Sequence, residues 1–168
     1  MNDAREDGPR ALIVCVSEHH GNTHKVATAM AEALGTEVVE PEEVDLTELH
    51  RYDVIGFGSG IYFEAPDKRL ARLVGRLPAG AGRAVFTFST SGAMPIPRMG
   101  MSDVRRRLRA RGYKVLGDFN CRGLDTVGPL RFIGGLNKGR PNYADLSRAA
   151  SFAREMQTRA TSASTTTR

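Results

Sequence analysis

No run of apolar residues in this 168-residue chain approaches the length of a bilayer, which excludes a membrane-spanning helix as an organising feature. The opening MNDAREDGPR is polar rather than built like a secretory leader, so a cytoplasmic location is the expectation. Cysteine is scarce. Cys15 and Cys121 lie far apart, form neither a CxxC pair nor a metal-ligand pattern, and are expected as reduced thiols, one in a strand and one in a loop. A GKS or GKT near the first glycine-containing loop is missing, which argues against a Walker-type nucleoside triphosphatase. Missing too are the clustered acidic residues that a phosphorylated receiver domain needs at the end of its first strand, since that strand runs out in CVSEHH. Acidic charge is nearly absent from Arg98 to Arg111, where six arginines face Asp103. Basic charge is nearly absent from Glu40 to Asp53, where six carboxylates face Arg51. The first stretch balances at +5, equal to the excess of the whole chain, and the second at −5. Such asymmetry can steer an acidic partner, the plainer alternative being two solvated faces. Neither nucleic acid nor a membrane is expected as a partner.

What is present is organised around Ala11 to Gly35. Ala11 to Val16 is continuously apolar and rich in β-branched residues, the pattern of a strand buried on both faces. Val26, Met30, Ala33 and Leu34 recur at helical spacing, and Gly35 is a natural stop. Between them, Ser17 to Thr23 places the backbone N–H groups of Gly21, Asn22 and Thr23 at a helix start, where they and the helix dipole suit an anion. Ser17 and Thr23 can add hydroxyl donors. A simple cap by Asn22 or Ser17 would explain the same residues without a ligand.

At this length a single domain is expected. Residues 1–10 read as a disordered start. Glu37 to Glu40 reads as a short second strand, and Pro41 to His50 as an irregular crossover or short helix. Tyr52 to Gly58 is a third strand running into the loop SGIYFEAP. Pro66 and Asp67 open a helix whose stripe is Leu70, Leu73, Val74 and Leu77. Arg83 to Ser89 is a fourth strand ending in the loop STSGAMPIP. A helix from about Met101 to Arg111 keeps Val104 and Leu108 inward and its arginines mostly outward, and Tyr113 to Phe119 is the fifth strand. Residues 120–142 are too long for an ordinary connection and read as a packed lobe inserted in the domain. Asn142 or Asp145 starts a last helix with Leu146, Ala149, Ala153 and Met156 inward, and residues 158–168 lack core-forming side chains and read as a disordered tail.

Five near-continuous apolar strands alternating with helices describe an α/β fold, a three-layer doubly wound five-stranded parallel sheet. Ligands of such sheets sit beyond the carboxyl ends of the strands. Here those ends are rich in Ser, Thr and Gly.

SEHHGNT after the first strand, GSGIYF after the third, and CRGLDTVGPLRFIGGLNKGRPNYADL after the fifth resemble the flavodoxin family, in a cytoplasmic prokaryotic branch. The resemblance covers roughly Ala11 to Met156 and implies strand order 2-1-3-4-5, with residues 11–157 as the flavodoxin-like domain. It implies FMN as cofactor, with Gly21, Asn22 and Thr23 holding the phosphate. Ser17 precedes them, and His19 and His20 stand where the family usually has hydroxyl-bearing residues. Imidazole beside a dianion would have its pKa raised, and the Glu18 carboxylate would turn away. Ser59, Gly60, Ile61, Tyr62 and Phe63 match the segment beside the flavin ring, with Tyr62 stacked on it. Phe63 occupies a position where Gly often permits a peptide flip, and a bulky residue resists that positive φ. Ser89, Thr90, Ser91 and Gly92 match the segment that contacts the pyrimidine edge through backbone groups. Met94 or Phe132 would cover the outer ring face.

The implied function is electron transfer between a reductase and an acceptor, the partners being redox proteins, one of them an acidic protein docking at Arg105 to Arg111. Two alternatives stay open. One is an FMN-dependent NAD(P)H:quinone or protoporphyrinogen-type oxidoreductase, and the other a flavin-free interaction domain on the same fold. GFGSG at Gly56 to Gly60 follows the third strand, not the first, and so makes a poor dinucleotide fingerprint. His19, His20 and His24 lack a carboxylate or thiolate clearly joining them as metal ligands.

Overall fold

A computed structural model describes residues 9–17, 21–62, 65–91, 100–122 and 139–165. Strand β1 (Ala11–Val16) is buried along its whole length, as its continuous apolar run demands. Helix α1 (Asn22–Leu34) follows and stops at Gly35, whose φ of 65° lets its N–H return to the last turn. After β2 (Val38–Val39), the chain crosses in two single 3-10 turns, Pro41–Glu43 and Leu49–Arg51. Then come β3 (Val54–Tyr62), β4 (Ala65–Pro66), α2 (Lys68–Arg76), β5 (Ala84–Ser91), α3 (Ser102–Ala110), β6 (Lys114–Arg122) and α4 (Tyr143–Thr165).

The main sheet is parallel in the order β2-β1-β3-β5-β6, with β4 turned back antiparallel on the end of β3. Setting that two-residue return aside, this is the five-stranded 2-1-3-4-5 arrangement. One face packs Ile13, Cys15, Phe86 and Phe88 against α1 and α4, through Val26, Met30, Ala153 and Met156. The other packs Val14, Ile55, Phe57 and Val85 against α2, α3 and the crossover, through Leu70, Val74, Val104 and Leu49. The glycines of GFGSG have a packing role. A Cβ on Gly56 would fall 2.5 Å from the Phe86 ring, and one on Gly58 would fall 2.0 Å from the Phe88 ring, so the two rings lie directly across the bare backbone of the central strand.

Several boundaries differ from those read in the sequence. Ser59, Gly60, Ile61 and Tyr62 are strand, not loop, because β3 continues into a hairpin in which Ile61 pairs with Pro66 and Tyr62 with Ala65. Pro66 therefore lies in β4, and Asp67 alone caps α2 by accepting from Arg69 N at 2.7 Å. Ser89, Thr90 and Ser91 are also strand, paired with Asn120, Cys121 and Arg122, so the inserted lobe does not begin at residue 120. Its residues 123–138 lie outside the described set. It is followed by a cis peptide at Arg140–Pro141 and by a reciprocal cap, in which Asn142 N and Asp145 N each donate to the other's side chain at 3.0 Å.

At the chain ends, Arg10 is tied down rather than frayed, its N–H donating to Asp53 Oδ2 and its carbonyl accepting from Asp53 N. Residues 158–165 are helix, not disordered tail. Ala160 continues the inward stripe of Ala149, Ala153 and Met156 at 3% exposure, while Thr158, Thr161 and Ser162 turn their hydroxyls back onto carbonyls of the preceding turn.

Candidate functional site

At the carboxyl edge of the sheet, the register aligns Val16, Ser59, Ser89 and Asn120 in one row and Gly60, Thr90 and Cys121 in the next. Polar residues thus replace the apolar core as each strand leaves it. Ser59 Oγ donates to Gly60 O at 2.7 Å and accepts from Asp67 N at 2.9 Å, clasping the start of α2 to the end of β3. Asn120 Nδ2 donates to Ser89 Oγ at 2.9 Å. Two rows deeper, Thr87 donates to Asp118 Oδ1 at 2.6 Å, and Arg105 of α3 pairs with Asp118 Oδ2 at 2.9 Å. Asn120 and Asp118 were not singled out in the sequence. Asp118 lay inside the fifth strand as read from the sequence, and Asn120 just past its expected end at Phe119.

The β1–α1 turn has the properties of an anion seat. Gly21 is the N-cap with φ 63° and ψ 22°, a left-handed conformation that suits glycine. As the N-cap, Gly21 has no side chain with which to close the helix start, and no acidic residue stands in the first turn of α1. The first amide to close on the turn is that of Lys25, which donates to Gly21 O at 3.0 Å. No carboxylate in the first turn of α1 neutralises the positive end of the helix dipole. A Cβ on Gly21 would meet no atom of a described residue within 4 Å.

Two hydroxyls flank this turn. Ser17 Oγ, at the end of β1, is buried and makes no hydrogen bond to a described residue. A buried unpaired hydroxyl costs stability unless something fills its valence, and a phosphoryl oxygen is of the right chemistry. Thr23 is 1% exposed and shares a 2.7 Å hydrogen bond with Thr90 Oγ1, which fastens the first turn of α1 to the end of β5. The residues present therefore fit a phosphate group, with backbone amides, one waiting hydroxyl and no opposing carboxylate among the described positions.

The structure brings Ser17, Gly21, Asn22, Thr23, Ser59, Gly60, Ser89 and Thr90 to one edge of the sheet, with Ile61, Tyr62 and Ser91 continuing β3 and β5 beyond it. His19, His20, Phe63 and Gly92 lie outside the described residues, as do Glu18, Met94 and Phe132. His24 is exposed on α1.

Both cysteines are buried, Cys121 in β6 rather than in a loop. Burial pushes each thiol up to about 12, with Glu40 adding to the effect at Cys15 and Asp145 at Cys121. Neither is a nucleophile near neutral pH. Burial also works to raise the Asp145 carboxyl, but hydrogen bonds from Arg140, Asn142 N and Arg148 outweigh it and hold the group below the usual carboxylate range.

A family model described as a flavodoxin domain matches residues 13–114. An uncharacterized protein of Methanocaldococcus jannaschii is 35% identical over 147 residues, covering 88% of this chain and 97% of its own. Among solved structures, a flavodoxin from the domain Archaea superposes with a TM-score of 0.66 at 17% identity, over 90% of this chain and 99% of its own. Flavodoxin 2 from Bacillus cereus gives 0.66 at 21%, over 89% and 99%. A flavodoxin, WrbA-like protein from Agrobacterium tumefaciens gives 0.68 at 16%, over 92% and 99%. At these identities the structural likenesses concern the fold.

Proposed function

Because this chain belongs to the flavodoxin domain family, we propose that it binds one FMN non-covalently at the carboxyl edge of its sheet and carries electrons between a reductase and an acceptor protein. The observation that carries the proposal is the start of α1 at Gly21, with no acidic residue in its first turn, preceded in the chain by a buried Ser17 hydroxyl that bonds to no described residue. When bound, FMN supplies the electron-accepting and electron-donating chemistry.

The chain's own residues hold and orient the cofactor. Backbone amides of Gly21, Asn22 and Thr23 take the phosphate, and Ser17 Oγ donates to it. The Thr23–Thr90 hydrogen bond sets the height of that turn against β5. Backbone groups at Ser89 to Ser91 and Gly92 address the pyrimidine edge of the ring, and Tyr62, on the hairpin strand, is its stacking residue. Ser59 and Asn120 brace these strand ends from the opposite face of the sheet, without any need to touch the ligand. No helix among the described residues is long and apolar enough to cross a membrane.

The test is the visible spectrum of the purified protein before and after titration with FMN. Flavin bands that shift on saturation at one equivalent are expected. Protein that neither contains flavin nor takes it up contradicts the proposal. Anaerobic photoreduction of the loaded protein then separates the finer readings, because a carrier takes up its electrons in two resolved single steps and a two-electron reductase in one.

A further inference from the structure

The charge of this molecule is divided by region. Residues 67–118, which supply α2, α3, β5 and the first half of β6, hold twelve Lys and Arg against three Asp, a balance of +9, so the remainder of the chain balances at −4. The arginine-rich helix α3 is the obvious source of an anion-binding surface, yet most of its cations are already engaged. Arg106 and Arg107 both bind Asp103, Arg105 is half-buried on Asp118, and the Arg111 guanidinium donates to the carbonyls of Gly75 and Leu77 at the end of α2. Of this group Arg109 alone has no partner among the described residues, and it sits in the last turn of α3, away from the carboxyl edge of the sheet.

Helix α2 is different. Leu70, Leu73 and Val74 face the core, which turns Lys68, Arg72 and Arg76 outward in one row at i, i+4, i+8, about 6 Å apart along the axis. All three are exposed, and none has a hydrogen bond or ion pair from its side chain to another described residue. The row also begins at the candidate flavin edge. Lys68 follows Asp67, whose N–H donates to Ser59 Oγ at 2.9 Å, and Ser59 is in register with Ser89.

We propose that the outward row Lys68–Arg72–Arg76 of α2 is the docking surface for an acidic redox protein, which it holds beside the hairpin at the carboxyl edge of the sheet. The proposal rests on the electron-carrier reading. The acidic crossover from Glu40 to Asp53, on the same side of the sheet, repels such a partner from the β2 edge and so orients its approach. A protein fits better than a nucleic acid. Neither α2 nor α3 contains an aromatic residue on which a base could stack, and the acidic crossover packs directly beside α2.

The probe is an acidic [2Fe–2S] ferredoxin, titrated by calorimetry against the full chain with and without FMN. Its affinity is expected to fall about tenfold between roughly 20 and 200 mM salt. The triple variant Lys68→Glu/Arg72→Glu/Arg76→Glu should weaken binding at least about tenfold, whereas Arg106→Glu/Arg109→Glu should change it less than about threefold. Circular dichroism and the thermal midpoint, unchanged in both variants, confirm that they fold. Four results overturn the proposal: no binding, binding indifferent to salt, equal loss in the two variants, or tighter binding through the same row by a single-stranded RNA oligonucleotide. The two readings fail separately. Stripe-dependent ferredoxin binding without FMN uptake strikes only the carrier assignment, and FMN uptake with stripe-independent binding strikes only the docking surface.

Discussion

The hydroxyl of Ser17 is buried without a partner among the described residues, and a folded chain holding such a group unpaired is less stable than one holding a methyl there. Ser17→Ala should therefore leave the flavin-free protein unchanged in stability or more stable by up to about 1 kcal/mol in urea denaturation, while weakening FMN about tenfold and riboflavin hardly at all. Equal loss for both ligands would mean that Ser17 supports the fold and not the phosphate. Ser17, Gly21 and Thr23 were legible as a phosphate seat because strand, glycine and helix follow one another within a few residues. What Thr23 does with its side chain was not legible. Its hydroxyl meets Thr90, 67 positions later, and only the parallel register of β1, β3 and β5 brings the two together. The glycines of GFGSG mislead in the same way. Their spacing resembles a ligand loop, but Gly56 and Gly58 are bare because the rings of Phe86 and Phe88 lie over them.

Among the elements, the buried middles of the strands were plain from their apolar runs, and the ends were not. Ser59 to Tyr62 and Ser89 to Ser91 look like loop because they are polar or glycine-rich, yet backbone pairing with β4 and β6 carries them on as strand. Helix α4 shows the opposite error. Beyond Thr158 its sequence has no large apolar residue, but Ala160 lies within the α1–α4 contact and its neighbours' hydroxyls bond back to the helix. Ala160→Asp should cost about 2 kcal/mol or more in chemical denaturation, since it forces a charge into that contact. Ser162→Asp, at an exposed position of the same turn, should change stability by less than about 0.5 kcal/mol. Indifference to both substitutions would show that the last turns of α4 contribute nothing to the fold.

For the molecule as a whole, the parallel order of the sheet decides where chemistry can occur. Helices cover both faces, and the start of α1, the Thr23–Thr90 link and the Ser59 clasp all lie at the carboxyl edge, where ligands of such sheets sit. The central claim is that this edge grips the phosphate of FMN. Side-by-side titration of flavin-free protein with FMN and with riboflavin tests it most directly, because the two ligands share the ring and differ in the phosphate alone. FMN is predicted to bind at least about a hundredfold more tightly, the yield of two or more charge-assisted hydrogen bonds at the turn. Equal affinities for the two flavins, or saturation by neither, would contradict the account.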